Sequence, residues 1–142
     1  MNVKNWSMEW GGRTLSVEVG KLALQTNSSC VVRYGDTVIL ATANMSRQTR
    51  DGIDFFPLMV NFEEKLYAAG KIKGSRFIKR EGRPTEDAIL SARLVDRSIR
   101  PLFDERMRND VQVILTALSY DMENDPQVPA LVAAALALTI SS

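Results

Sequence analysis

Apolar and polar residues alternate through the first part of the chain and take up helical spacing only past its middle. In WSMEWGGRTLSVEVG, residues 6–20, two alternating runs flank Gly11-Gly12. A Gly-Gly pair supplies the positive φ angles of a two-residue hairpin turn, so two paired strands are expected. SSCVVRYGDTVILATANM, residues 28–45, repeats the device around Gly35-Asp36. Residues 46–54, SRQTRDGID, lack periodicity and predict an exposed loop, and FFPLMVNFE after them predicts a fifth strand. PTEDAILSARLVDRSIRPLF, residues 84–103, then reads as a helix. Pro84 and Thr85 mark its start, Glu86 and Asp87 suit the positive end of its dipole, and Arg100-Pro101 closes it. Its expected buried stripe is Ile89, Ala92, Val95 and Ile99, flanked by Leu90 and Leu94. VQVILTALSY predicts a buried strand, and DPQVPALVAAALALTISS an alanine-rich helix beginning near Pro126 or Pro129. The fold class is α+β: one domain over residues 1–142, a mixed or antiparallel sheet with about two helices packed on one face. That last helix is apolar on nearly every side and expects neighbours around it, so the chain reads as a fragment of a longer protein or as a subunit.

Charge changes this picture at one place. The chain of 142 residues carries a net charge of only +1. Lys71, Lys73, Arg76, Lys79, Arg80 and Arg83, however, face only Glu81 within residues 71–83, which leaves the rest of the chain net acidic. A focused positive loop attracts phosphates or acidic partners. Downstream, Arg93, Arg97 and Arg100 recur at i, i+4 and i+7 on the predicted helix. Alone, such a row reads as a solvated face with some ion pairing. Beside the basic loop it reads as the rigid half of a track for a polyanion, and Phe77 within the loop suits stacking on an unpaired base.

Composition narrows the chemistry further. The chain has no histidine and a single cysteine, Cys30. Histidine-dependent acid/base chemistry, Cys/His zinc sites and Ser/His or Cys/His catalysis within this chain are thereby excluded. Cys30, in an alternating strand, is expected to be a core residue. DMENDP resembles the start of a calcium loop, but Pro126 stands where glycine is needed and Val132 where glutamate is, so it is rejected. Glu63-Glu64 and Asp51/Asp54 read as solvated turn or strand-end carboxylates. No signal-type apolar run opens the chain, and VPALVAAALALTI is too short to span a bilayer, so a reducing cytoplasm and no membrane partner are expected.

The stretches YAAGKIKG, KREGRP and RLVDRSIRPLF together carry a specific resemblance. Over essentially its whole length the chain resembles the N-terminal core of the polynucleotide phosphorylase family. The resemblance implies an RNase PH-like core with the ribosomal-protein-S5 domain-2-like βαβ arrangement. It implies 3′→5′ phosphorolysis of single-stranded RNA, with inorganic phosphate as co-substrate and nucleoside diphosphates as product. Family members carry two such cores, a helical segment between them and KH and OB-fold domains after them, and three chains form a ring. The Mg2+-binding carboxylates and phosphate-gripping residues belong to the second core, so no catalytic or metal residue is assigned here. The first core's channel loop falls on Phe77, Ile78, Lys79 and Arg80, with Arg83 just beyond. Ile78 departs from the double aromatic of some members, so stacking rests on Phe77. Arg93, Arg97 and Arg100 match positions where first-core helices approach the RNA backbone. The expected RNA-binding set is therefore Phe77, Lys79, Arg80, Arg83, Arg93, Arg97 and Arg100. An alternative is a stand-alone, non-catalytic RNA-binding or ring-assembly module. An enzyme complete in one core is disfavoured, because the chain ends before a second half that could hold the metal.

Overall fold

Two glycine-turned hairpins open the computed structural model, which describes residues 3–72, 74 and 82–141. Strands β1 (Lys4–Trp10) and β2 (Arg13–Val19) pair antiparallel across Gly11 and Gly12, whose φ angles are +59° and +78°. Strands β3 (Ser28–Tyr34) and β4 (Thr37–Thr49) pair across Gly35 and Asp36. Gly35 is required twice over: its φ is +60°, and a Cβ there would lie 2.7 Å from Asn124 Nδ2. Two further strands, β5 (Leu58–Glu64) and β6 (Asn109–Ser119), and two helices, α1 (Glu86–Ile99) and α2 (Gln127–Thr139), complete the regular elements.

The sheet order is β1-β2-β3-β4-β6-β5. Every pair is antiparallel except β5 and β6, which run parallel because the connection between them crosses over through α1. This is the expected mixed sheet with its βαβ unit. Both helices lie on one face, α2 against β3 and β4, α1 against β5 and α2. Val32, Ile39, Ala41, Phe62, Val113 and Leu115 point from the sheet into this layer and are fully buried or nearly so. Each of these side chains larger than alanine contributes about 1.5–3 kcal/mol in removal from water. Ala130, Ala133, Ala134 and Ala137 are the answering face of α2, small enough to bring the helix down onto the strands. Ser28 Oγ and Cys30 Sγ fix its rotation by donating to the carbonyls of Ala137 and Ala133, one helical turn apart.

Three local expectations are corrected. Strand β4 runs on to Thr49, through residues expected as loop, because β6 supplies partners that the local pattern does not announce. Thr49 pairs with Asn109 beyond a register shift after Met45, Asn109 Nδ2 donates to Ser46 O, and Asp110 N donates to Ser46 Oγ. Strand β5 begins at Leu58 rather than Phe55, since Pro57 lacks an N–H and Phe56 turns inward to stack 4.9 Å from Phe103. On α1 the buried residues are Ala88, Ser91, Val95 and Ile99. Ile89, Leu90 and Leu94 are 47%, 60% and 46% exposed. The helix settles on its narrow side, and Ser91 can be buried because its hydroxyl is satisfied by Asp87 O. No helix among the described residues is long and apolar enough to cross a membrane.

Candidate nucleic-acid interface

The basic loop hangs from two anchored ends. Its entry is a 3-10 turn, Leu66–Ala69, closed by Gly70 at φ +67°, with Gly70 N and Lys71 N donating to Tyr67 O and Leu66 O. Tyr120 N donates to Ala68 O at 2.9 Å and ties that turn to the end of β6. The exit is Thr85, the N-cap of α1, whose Oγ1 accepts from Ala88 N at 3.1 Å and donates to Glu64 Oε2 at 2.8 Å. One hydroxyl thus caps the helix and bolts it to the end of β5. Glu63 is held by Lys65 at 2.7 Å, so the Glu63-Glu64 pair supports the loop's base.

Of the expected site residues, Phe77, Lys79 and Arg80 lie outside the described residues. Arg83 is exposed at the loop's exit, at the rim of a cavity of about 400 Å³ shared with Glu64, Lys65 and Thr85. Arg93 and Arg97 are exposed on α1, and neither has a carboxylate partner among the described residues. Arg100 differs. Its Nε and Nη2 grip both oxygens of Asp96, at 3.0 and 2.6 Å, and Nη1 and Nη2 donate to Phe56 O and Leu58 O. Four bonds engage that guanidinium in holding the end of α1 against the start of β5.

Between α1 and the outer edge of β5 runs a groove of about 450 Å³, lined by Met59, Asn61, Ile89, Arg93, Asp96 and Arg100 among others. The geometry therefore brings Arg93 and Arg100 to one groove, with Arg97 outside its lining. Arg93 and Arg97, one turn apart, repel by about 0.2–0.5 kcal/mol, a cost that an anion bound between them removes. Met59 and Asn61 were not singled out from the sequence. Alternation along β5 was the available signal, since it sets them on the face opposite Leu58, Val60 and Phe62.

The acidic run after β6 is fully committed to folding. Asp121 accepts from Asp36 N, Thr37 Oγ1, Glu123 N, Asn124 N and Asn124 Nδ2. Burial would raise its pKa, but these donors outweigh it and hold the carboxyl well below the usual carboxylate range. Glu123 pairs with Arg13 at 2.9 Å, and Asp125 Oδ1 accepts from Gln127 N. Among the described residues no three carboxylate, thiol or imidazole groups converge as metal donors.

The chain is 56% identical over 138 residues to the polyribonucleotide nucleotidyltransferase of Ruminiclostridium cellulolyticum, and 57% identical over 134 residues to that of Gluconacetobacter diazotrophicus. These spans are 97% and 94% of this chain but 20% and 19% of the relatives, so the chain spans about a fifth of their length. Among solved structures it is similar to a chain of the Archaeoglobus fulgidus exosome with RNA bound to the active site, at TM-score 0.63 and 24% identity. It is also similar to rice Rrp46, at TM-score 0.65 and 15% identity. Nearly all of this chain is covered, 99% and 97%, against 51% and 56% of those chains, a likeness of fold. The family described as 3′ exoribonuclease, domain 1, matches residues 11–142, and with a match of that extent the chain belongs to the 3′ exoribonuclease family.

Proposed function

We propose that this chain is the RNA-gripping first core of a polyribonucleotide nucleotidyltransferase. In the reaction of the whole protein, an oxygen of inorganic phosphate attacks the phosphorus of the last internucleotide linkage. The bond from that phosphorus to the 3′ oxygen of the preceding nucleotide breaks, a nucleoside 5′-diphosphate leaves, and the RNA is one residue shorter with a new 3′ hydroxyl. This chain's part is to hold the single strand. The observation that carries the reading is the pair Arg93 and Arg97, exposed without carboxylate partners among the described residues on a rigid helix whose N-cap is the exit of the basic loop. Backbone phosphates supply the charge those guanidiniums lack, independent of base sequence. Phosphate and Mg2+ are assigned to a second core. A homotrimeric ring in the cytoplasm belongs to the same reading.

The test measures single-stranded RNA affinity against salt concentration. Replacing Arg93 and Arg97 together by alanine is expected to weaken binding alike for all sequences and to flatten the log–log salt slope by about 0.7 for each phosphate no longer neutralised. Arg97→Lys should recover only part, since an ammonium lacks the bidentate grip. Arg100→Ala is the control, expected to lower thermal stability while leaving the salt slope in place. An unchanged slope in the double variant would return both arginines to a solvated helix face.

A further inference from the structure

Glu64 stands where its own charge opposes the binding of a polyanion. It is exposed at the end of β5 and lines the same cavity as Arg83, beside the basic loop. An exposed carboxylate at such a place repels each phosphate that approaches, by an amount that water and salt reduce but do not remove. Neighbouring Glu63 is held by Lys65, whereas Glu64 Oε2 accepts the hydroxyl proton of Thr85 at 2.8 Å.

Thr85 has that proton to give because capping uses only the acceptor side of its oxygen. Oγ1 accepts from Ala88 N at 3.1 Å, and this acceptance alone serves the helix end. The donated bond is additional. It joins the residue that precedes α1 to the last residue of β5, the strand against which α1 packs. At the loop's entry, Tyr120 N donates to Ala68 O and makes the corresponding tie to the end of β6. Glu64 is in register with Ala117 of β6, so both ties lie at one end of the parallel pair. Arg83 precedes Thr85 by two residues, and Arg93 follows it by about two turns of helix. The bond between Glu64 and Thr85 is thus the fixed point between Arg83 and the arginines of α1.

We propose that Glu64 is a positioning residue of the RNA grip. It touches no RNA; through Thr85 it holds Arg83, Arg93 and Arg97 in the relation that lets one strand engage them together. Contacts engaged together reinforce one another, and contacts on a loosened joint do not, which offsets the repulsion of a carboxylate in this place. This role rests on the RNA-gripping function proposed above and adds the residue that aligns its parts.

Binding of the 142-residue chain to single-stranded poly(A), measured against salt concentration, separates this role from that of a solvated charge. Glu64→Ala removes the charge and the bond together. It is expected to weaken binding about three- to tenfold and to flatten the log–log salt slope by about 0.7, as the Arg83 contact falls out of line. Glu64→Gln removes the charge but keeps a carbonyl oxygen that accepts from Thr85. It is expected to strengthen binding about twofold, with a slope no flatter than the native one. In a Thr85→Val background, where no hydroxyl remains, Glu64→Ala should weaken binding no further. A carboxylate acting only through its charge predicts instead that both Glu64 variants bind tighter, by similar factors. Similar changes in the two variants, in either direction, would overturn the proposal, and so would a further loss in the Thr85→Val background. The RNA reading is checked separately by replacing Arg93 and Arg97. If that leaves the slope unchanged, the reading falls and this role with it; a flattened slope there, beside matching Glu64 variants, removes this role alone.

Discussion

Asp121 links three parts of the chain through one carboxylate: the β3–β4 turn at Asp36, the buried Thr37, and the loop that leads into α2. Asp121→Ala would leave the N–H groups of Asp36, Glu123 and Asn124 without this acceptor, and a loss of about 3 kcal/mol in urea denaturation is expected. The pH dependence has a definite sign. The folded-state pKa lies below the unfolded one, so the stabilisation is fully present above about pH 4 and is lost as pH falls toward the folded value. The melting temperature should therefore drop as pH falls from about 5 toward about 2, and the drop should be shallower in Asp121→Asn. Little of this was legible in the sequence, which showed three acidic residues at calcium-loop spacing. Their partners Asp36 and Arg13 come from the opening hairpins, far away along the chain. Arg100 has the same history: its row of like charges is visible as spacing, but the carbonyls of Phe56 and Leu58 reach it only through the tertiary fold.

At the scale of elements, legibility follows the strictness of the local requirement. The two hairpins could be read because Gly11, Gly12 and Gly35 satisfy backbone angles that other residues resist. The start of α1 could be read because Thr85 caps it as threonine does elsewhere. Which side of α1 is buried could not, because Ile89, Leu90 and Leu94 look as suited to a core as Val95 and Ile99. Close approach at Ala88 and Ser91 decides it. The same steric logic predicts the behaviour of α2. Ala134 is fully buried against the sheet side, whereas Ala135 is exposed. Ala134→Leu should destabilise by about 1–3 kcal/mol or unfold the chain, while Ala135→Leu stays within roughly 0.5 kcal/mol, as thermal melts of the two variants will report.

For the whole molecule, the proposed division of labour predicts an inert part. The chain incubated with poly(A), Mg2+ and phosphate is expected to release no ADP above a protein-free blank. Sustained release through repurification would move the active site into these residues. Burial pushes the Cys30 thiol up to about 11, so a thiol-modifying reagent at mildly alkaline pH should leave that chain unlabelled until denaturant is added, a check that the inert protein was folded.

The place of β6 in the sheet has a consequence for biosynthesis. It lies between β4 and β5, yet of the six described strands of this sheet it is the last to leave the ribosome. Until residues 109–119 emerge, the β1–β4 meander and β5 have no strand to join them, and the apolar faces of both stay open to water or to holding chaperones. The central seam is zipped last, after the long stretch of chain between β4 and β6 has closed into a loop, so assembly is expected to be a late, concerted event rather than a strand-by-strand accretion from the N-terminus.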